Sequence, residues 1–384
     1  MARLPKGRRV IFAVAAALIL SGGAEFILRV HDFGFYYNFG ADLLGMPLLD
    51  MHKIRRIQNR TVEHDPHLFW RFKPNQTLDA HGIYRRSVTI NSNGFRGPEF
   101  KDQKPAGVYR VACIGDSTTF GWSVGDNETF AHYLGGLLGK RCPGKVEALN
   151  LGVTGYTSFQ GMKLMEMYVK DWSPDLVIFA FGPNDRLPAL KSDREHFESR
   201  TWDIGAIQLF LHRFQVYKLM KSGVIYLKNR ARGLSLDAKT YIPHLERKVG
   251  PEEYADNARK VKALCDRTGA DLILIHVDYP SLPEDHVSME IKKQAGEHGA
   301  KMPEDWKKWD GAALHRELSN QLNVPSIELR ELFEQAPGKD NQWRAIMVDN
   351  GHPNERGHKI IAEELARLIK PLPAFRERCK EAAP

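Results

Sequence analysis

Residues 108–123 read VYRVACIGDSTTFGWS. Strand-forming side chains run from Val108 to Ile114, and then Gly115-Asp116-Ser117 opens a stretch of small and hydroxyl residues. A short apolar run bounded by a glycine turn is the pattern of a strand covered on both faces. Ser117 therefore stands where that strand leaves its sheet. The position suits either an ordinary turn or a hydroxyl held out to react.

The same rhythm continues downstream. ETFAHYLGGLLGKR (128–141) carries apolar residues at helical spacing, VEALNLG (146–152) reads as a second strand, and SFQGMKLMEMYVKDW (158–172) as a second helix. PDLVIFAFGPND (174–185) is a third strand, opened by Pro174. EEYADNARKVKALCDRTG (252–269) leads into ADLILIHVDYP (270–280), WDGAALHRELSNQLN (309–323) into VPSIELREL (324–332), and HKIIAEELARLIK (358–370) closes the series. Such alternation predicts a doubly wound α/β domain with a parallel sheet, three layers deep and flavodoxin-like, over residues 106–373. Ligands in such a fold bind at the carboxyl ends of the strands.

Three segments break the pattern. Residues 31–105 form a linker and a small β-rich extension, with the Asn93-Gly94 turn in TINSNGFRGPEF. Long insertions are expected at 186–250 and 280–308, where lids and specificity loops sit. Residues 374–384 are expected as a tail.

The amino terminus carries its own signal. MARLPKGRR holds four basic residues and no acidic one, and VIFAVAAALILSGGAEFIL then supplies 19 almost wholly apolar positions. That length is close to the roughly 20 residues that cross a bilayer as a helix. The basic flank places the first residues in the cytoplasm and the rest of the chain outside it. Apolar character resumes at Phe26-Ile27-Leu28, which favours an uncleaved single-pass anchor in the cytoplasmic membrane. A secreted form cut near the small residues Gly22 and Ala24 is the alternative.

Composition narrows the classes. Of the 384 residues, 42% are hydrophobic and 27% charged, enough apolar content for a sizeable core rather than a disordered chain. The net charge of +8 is spread along the chain and no nucleic-acid motif accompanies it, so nucleic acid is not an expected partner. Cys113, Cys142, Cys265 and Cys379 form no CxxC pair, which argues against a cysteine metal site. In an oxidising compartment Cys142 and Cys379 are the pair suited to one disulfide, while Cys113 lies in an apolar strand.

Four segments meet at the carboxyl edge of the predicted sheet. They are Gly115-Asp116-Ser117, NLGVTGYTS (150–158) with Gly152 and Gly155, GPND (182–185) with Asn184, and VDNGHPNERGH (348–358) with Asp349 and His352. A serine is a weak nucleophile until an imidazole takes its proton, and the imidazole needs a carboxylate to fix its tautomer. Ser117, His352 and Asp349 supply those three groups. The backbone N–H groups of Ser117 and Gly155 and the Asn184 amide supply donors for a developing oxyanion.

These four blocks resemble those of the SGNH hydrolase superfamily, the GDSL esterases and lipases. The resemblance covers about residues 108–370. It implies that Ser117 is the nucleophile, that Gly155 and Asn184 complete an oxyanion hole with the Ser117 N–H, and that Asp349 and His352 are acid and base. Gly152 is the competing glycine of the second block. The implied activity is hydrolysis of an acyl ester, an acetyl ester first among them, on a glycan, lipid or small molecule, with neither cofactor nor metal. Transfer of the acyl group to a polysaccharide hydroxyl is a second reading, and a non-catalytic glycan-binding subunit a third.

The neighbouring polar residues have plainer readings. Asp116 and Asp185 suit turn-stabilising carboxylates. His358, inside the last helix, suits packing. His276 and Asp278 end the fourth strand and are candidates to line the pocket, although satisfied hydrogen bonds explain them as well. No ligand spacing such as HExxH joins these histidines, so no metal is expected. The segment 204–233 is apolar on one face with Lys218, Lys221, Lys228, Arg230 and Arg232 interspersed. It suits either a membrane surface or a helical cap over the active site, and the cap is the favoured expectation.

Overall fold

In the computed structural model, the described residues are 6–30, 61–65, 67–78, 86–142, 146–189, 192–198, 210–211, 213–217, 219–220, 224, 246–278, 310–336, 343–348 and 351–379. The first element is a long helix, α1 (Lys6–Val30). Two antiparallel hairpins follow, β1 (Val62–Asp65) with β2 (Phe69–Phe72), and β3 (Gln76–Leu78) with β4 (Val88–Ile90).

The centre is a five-stranded parallel sheet. Its strands in chain order are β5 (Tyr109–Gly115), β6 (Val146–Gly152), β7 (Leu176–Phe181), β10 (Asp271–His276) and β11 (Ser326–Glu328). A two-stranded pairing of β8 (Pro188–Ala189) and β9 (Glu246–Arg247) sits in the insertion. The strands lie side by side as β11-β10-β7-β5-β6. The chain therefore steps from β5 outward to β6, then returns across β5 to lay down β7. That reversal opens a crevice at the carboxyl ends of β5 and β7, the place where open α/β sheets bind their ligands.

Helices cover both faces. The short α2 (Ser117–Phe120) follows β5, α3 (Phe130–Gly139) leads to β6, and α4 (Ser158–Met167) follows β6. Next come α5 (Asp193–Glu198), α6 (Pro251–Thr268) and α7 (Gly311–Leu322). The chain ends with α8 (Leu329–Glu334), α9 (Trp343–Ile346), α10 (Glu355–Ile369) and α11 (Pro373–Arg378). All of β5 and β7 is buried; β7 is accordingly apolar throughout, and the one charged residue of β5, Arg110, donates its Nε–H to Glu147 at 2.9 Å. One face of the sheet packs Ile114, Leu151, Phe179 and Leu274 against α4 and α6; the other packs Val111, Ile178 and Ile275 against α3 and α10.

Two boundaries differ from the sequence reading. The strand read over 324–332 is only three residues long before α8 begins, because Leu329 and Phe333 bury on one side of a helix. The expected tail beyond residue 373 is instead α11, whose Phe375 is buried edge-on against Tyr109 with ring centroids 5.1 Å apart. Directly after α11, Cys379 forms a disulfide with Cys142, their Cα atoms 5.1 Å apart and 237 residues apart in sequence. Cys113 and Cys265 are buried thiols.

A bridge closing so long a loop restricts the unfolded chain strongly. Replacing Cys142 and Cys379 together by serine is expected to cost about 2–5 kcal/mol in urea unfolding. Reductant should reproduce that loss in the wild type and add nothing in the variant.

Candidate active site

The strand end at Gly115 has no room for a side chain. A Cβ there would collide with the Thr119 side chain and the Ala180 carbonyl, and one at Gly152 would collide with the backbone of Phe120. The two glycines let α2 fold back across the ends of β5 and β6. Asp116 caps it, its Oδ1 accepting from the Thr118 N–H at 2.8 Å, and Gly121 ends it in the left-handed conformation at φ 83°. Residues 111–116 and 118–120 are buried, whereas Ser117 between them is only partly covered.

The Ser117 hydroxyl lies 3.0 Å from His352 Nε2, across 235 residues of sequence. The loop carrying His352 is drawn shut by Val348 N–H to His352 O at 2.9 Å and Asn354 N–H to Ile346 O at 2.9 Å. Asn354 then caps α10 through Arg356 and Gly357 N–H. The Trp122 ring lies 5.7 Å from the imidazole. Asp349 falls outside the described residues.

Asn184 reaches the same edge from the end of β7. Its Nδ2 donates to Tyr156 O at 3.0 Å and, more weakly, to Asp116 Oδ2 at 3.4 Å. Gly155 precedes Tyr156 with φ 81°, a left-handed turn. Gly152 instead ends β6, with its N–H held by Asn150 Oδ1 at 3.1 Å. Asp185 is fully buried and accepts from both the Ser158 N–H (2.8 Å) and its hydroxyl (2.9 Å). The residue after Asn184 thus anchors the start of α4, which fixes the Gly155 loop relative to the amide. Burial pushes the Asp185 carboxyl well up from its ordinary value, and it is the largest influence there.

Sequence reasoning missed the braces beneath these loops. Arg96, from the β-rich extension, is 2% exposed and donates to the carbonyls of Phe120, Gly121 and Val124 at 2.6–2.8 Å, and to Asp126 at 3.0 Å. It locks the turn after α2. Trp70, in β2, accepts the Tyr156 hydroxyl at its carbonyl (2.6 Å) and donates its indole N–H to Thr154 O (3.3 Å). It holds the Gly155 loop. The extension is therefore part of the site's support, although its alternating pattern signalled only strands.

His276 and Asp278 do not join this group. His276 is buried, with Nδ1 2.7 Å from Glu328 Oε2 and Nε2 3.3 Å from the Arg186 guanidinium. His315 Nδ1 meets the other oxygen of Glu328 at 2.5 Å. Asp278 accepts from Arg330 Nε at 3.1 Å. Both side chains are engaged toward β11 and α8 rather than offered to a ligand beside Ser117. His358 is fully buried and accepts from the Phe130 N–H at 3.1 Å, and burial drives its imidazole down to about 3. It packs, as its place in the last helix suggested.

Asp116 gives the site a pH signature. Burial, the largest influence, raises its carboxyl from 3.8 to about 6, against the Thr118 hydrogen bond and the nearby His352 charge. Between those values the folded chain keeps a proton that the unfolded chain has released. Stability therefore falls as pH rises through that window, by about 3 kcal/mol for this group. Asp116→Asn should remove that decline, so that urea unfolding of the two proteins diverges from pH 4 toward 6 and runs parallel above it.

Comparison with known proteins places this geometry in context. Residues 113–360 match the model of the GDSL-like Lipase/Acylhydrolase family. No curated protein matches the chain. Among solved structures, the chain is similar to LAE5, an alpha/beta hydrolase from the metagenome of Lake Arreo, at 17% identity, with 71% of this chain and 95% of that one covered and a TM-score of 0.39. It is similar to the lipase/acylhydrolase of Enterococcus faecalis at 18% identity, covering 68% and 96%, with a TM-score of 0.39. The acetylxylan esterase Axe2 of Geobacillus stearothermophilus, as a catalytic mutant, is similar at 15% identity, covering 70% and 96%, with a TM-score of 0.38. With about two thirds of its length matched by the family model, this chain belongs to the GDSL-like lipase/acylhydrolase family, a family of serine esterases.

Proposed function

We propose that Ser117 is the nucleophile, His352 the general base and Asp349 the carboxylate that orients it, in an enzyme that hydrolyses acyl esters outside the cytoplasm. The observation that carries this reading is the 3.0 Å contact between the Ser117 hydroxyl and His352 Nε2. With Nε2 unprotonated, the imidazole accepts the hydroxyl proton as Oγ attacks the ester carbonyl. The carbonyl oxygen becomes anionic, facing the N–H groups of Ser117 and Gly155 and the Asn184 amide. Asn184 has a proton to offer because its 3.4 Å bond to Asp116 is long and readily exchanged for a stronger acceptor. Collapse expels the alcohol, which takes its proton from the imidazolium, and water repeats the sequence on the acyl-enzyme.

The preferred substrate class is a small acyl ester, acetyl first, borne by a glycan or lipid at the cell surface. An extracytoplasmic setting accords with the apolar α1 and with the Cys142–Cys379 disulfide, since such bridges persist in oxidising compartments. Transfer of the acyl group to a sugar hydroxyl would use the same acyl-enzyme, and product analysis with an acceptor oligosaccharide separates it from hydrolysis.

The purified full chain should release p-nitrophenol from p-nitrophenyl acetate faster than from the octanoate ester, and Ser117→Ala should abolish both activities. Equal rates in wild type and variant would reject the assignment, and absence of fluorophosphonate labelling at Ser117 would favour a binding subunit instead. Asn184→Ala is expected to lower kcat by about 10²–10³ with little change in KM, as for loss of one oxyanion donor.

A further inference from the structure

We infer that residues 210–211, 213–217, 219–220 and 224 of the large insertion make a second membrane contact: they lie in the interface of a phospholipid bilayer, against the outer end of α1. The inference rests on the reading of α1 as a retained membrane helix. Among the described residues, α1 is the one helix long and apolar enough to cross a membrane, and Val10, Phe12, Leu18 and Leu20 on it are exposed.

The segment was expected to fold over the active site, but its described residues turn apolar side chains outward. Phe210 is 55% exposed, Met220 65% and Val224 51%, with Phe214 and Leu219 also open. Phe210 and Phe214 pair edge-on with ring centroids 5.4 Å apart. Residues 210–211, 215–217, 219–220 and 224 are helical, so this is a ridge of large apolar groups on helical turns. Aromatic and aliphatic residues in that arrangement are those that settle into the headgroup region of a bilayer.

The contact with α1 sets the depth. Glu25, the one acidic residue in the apolar run, accepts from Arg29 Nε at 2.7 Å and from the Val216 N–H at 2.9 Å. Arg29 in turn donates to Arg213 O at 2.7 Å. Arg9 and Arg29 are 20 positions apart (29 − 9). At about 1.5 Å per residue they stand about 30 Å apart, which is the thickness of the hydrocarbon core. With Arg9 at the cytoplasmic boundary, Arg29 marks the outer one, and Glu25 lies one turn, or about 6 Å, below it. Interfacial helices bury their apolar faces to about that depth. Val216 hydrogen-bonds at this level, so the Phe210, Phe214 and Met220 side chains beside it meet lipid. A carboxylate is costly so close to the core unless paired, and Arg29 and the Val216 N–H supply the pairing.

The test uses the full chain in vesicles of phosphatidylcholine and phosphatidylglycerol. Met220→Cys and Leu18→Cys are labelled separately with an environment-sensitive nitrobenzoxadiazole probe; Cys113 and Cys265 are buried and Cys142 and Cys379 are bonded, so labelling is selective. Circular dichroism matching the wild type verifies each fold. The Met220 label is expected to emit to the blue of its value in water and to be quenched most by lipids whose nitroxide lies near the headgroup. The Leu18 label should be quenched most by nitroxides deep in the chain. A Met220 label that lipid nitroxides do not quench, with Leu18 quenched, would overturn the surface contact and leave the anchor intact. If that unquenched label were also shielded from aqueous iodide, the occupant would be protein, either a second copy or another partner. No quenching at either site would overturn the anchor reading, and this inference with it.

Discussion

The missing Cβ atoms of Gly115 and Gly152 are the constraint on which the site's geometry depends. Because nothing protrudes from these strand ends, α2 lies flat across the edges of β5 and β6, and the serine that begins it points out of the sheet. Any larger residue would lift the helix away and with it the hydroxyl. The strand reversal at β5 does the rest, since it brings β7 and the Asn184 loop alongside on the other flank. Four sequence segments separated by tens to hundreds of residues thereby converge without any of them crossing the sheet.

Convergence alone does not hold the loops still. The turn after α2 is clasped by a guanidinium with almost no solvent contact, and the loop of Gly155 is pinned by an indole and by a tyrosine hydroxyl. A buried cation surrounded by carbonyls is stable because every guanidinium nitrogen donates to an oxygen and Asp126 balances the charge. The guanidinium and the indole both come from the β-rich extension ahead of the domain. The extension and the α/β core therefore form one structural unit at the site, whatever their separate origins in the chain.

How far the sequence disclosed this follows from the range of the forces involved. Strand β7 was visible because a strand covered on both faces must be apolar at every position, and LVIFAF is so. Ser117, Asn184 and His352 were visible because a glycine turn, a strand end and a helix start each leave a local signature. Arg96 was not, because a charged residue in a polar loop looks like a solvated one until its carbonyl partners, 24 to 28 residues ahead, are folded around it. His276 and Asp278 were ambiguous for a related reason. Strand ends place polar groups near any crevice, and only the positions of Glu328 and Arg330 on later elements decide which way they turn. The outward turn of Phe210, Phe214, Leu219, Met220 and Val224 was likewise open, since amphipathic periodicity is the same whether a helix covers protein or lipid.

In the membrane arrangement inferred above, the bonds that join Glu25 and Arg29 to residues 216 and 213 restrict how the catalytic domain moves. A domain with a single membrane attachment can present its crevice in many directions. A second attachment beside the first leaves one axis of rotation, like a door on two pins. Under that proposal the mouth of the crevice sweeps a narrow band at constant height above the lipid, so reach, and not affinity alone, would select which esters are cut.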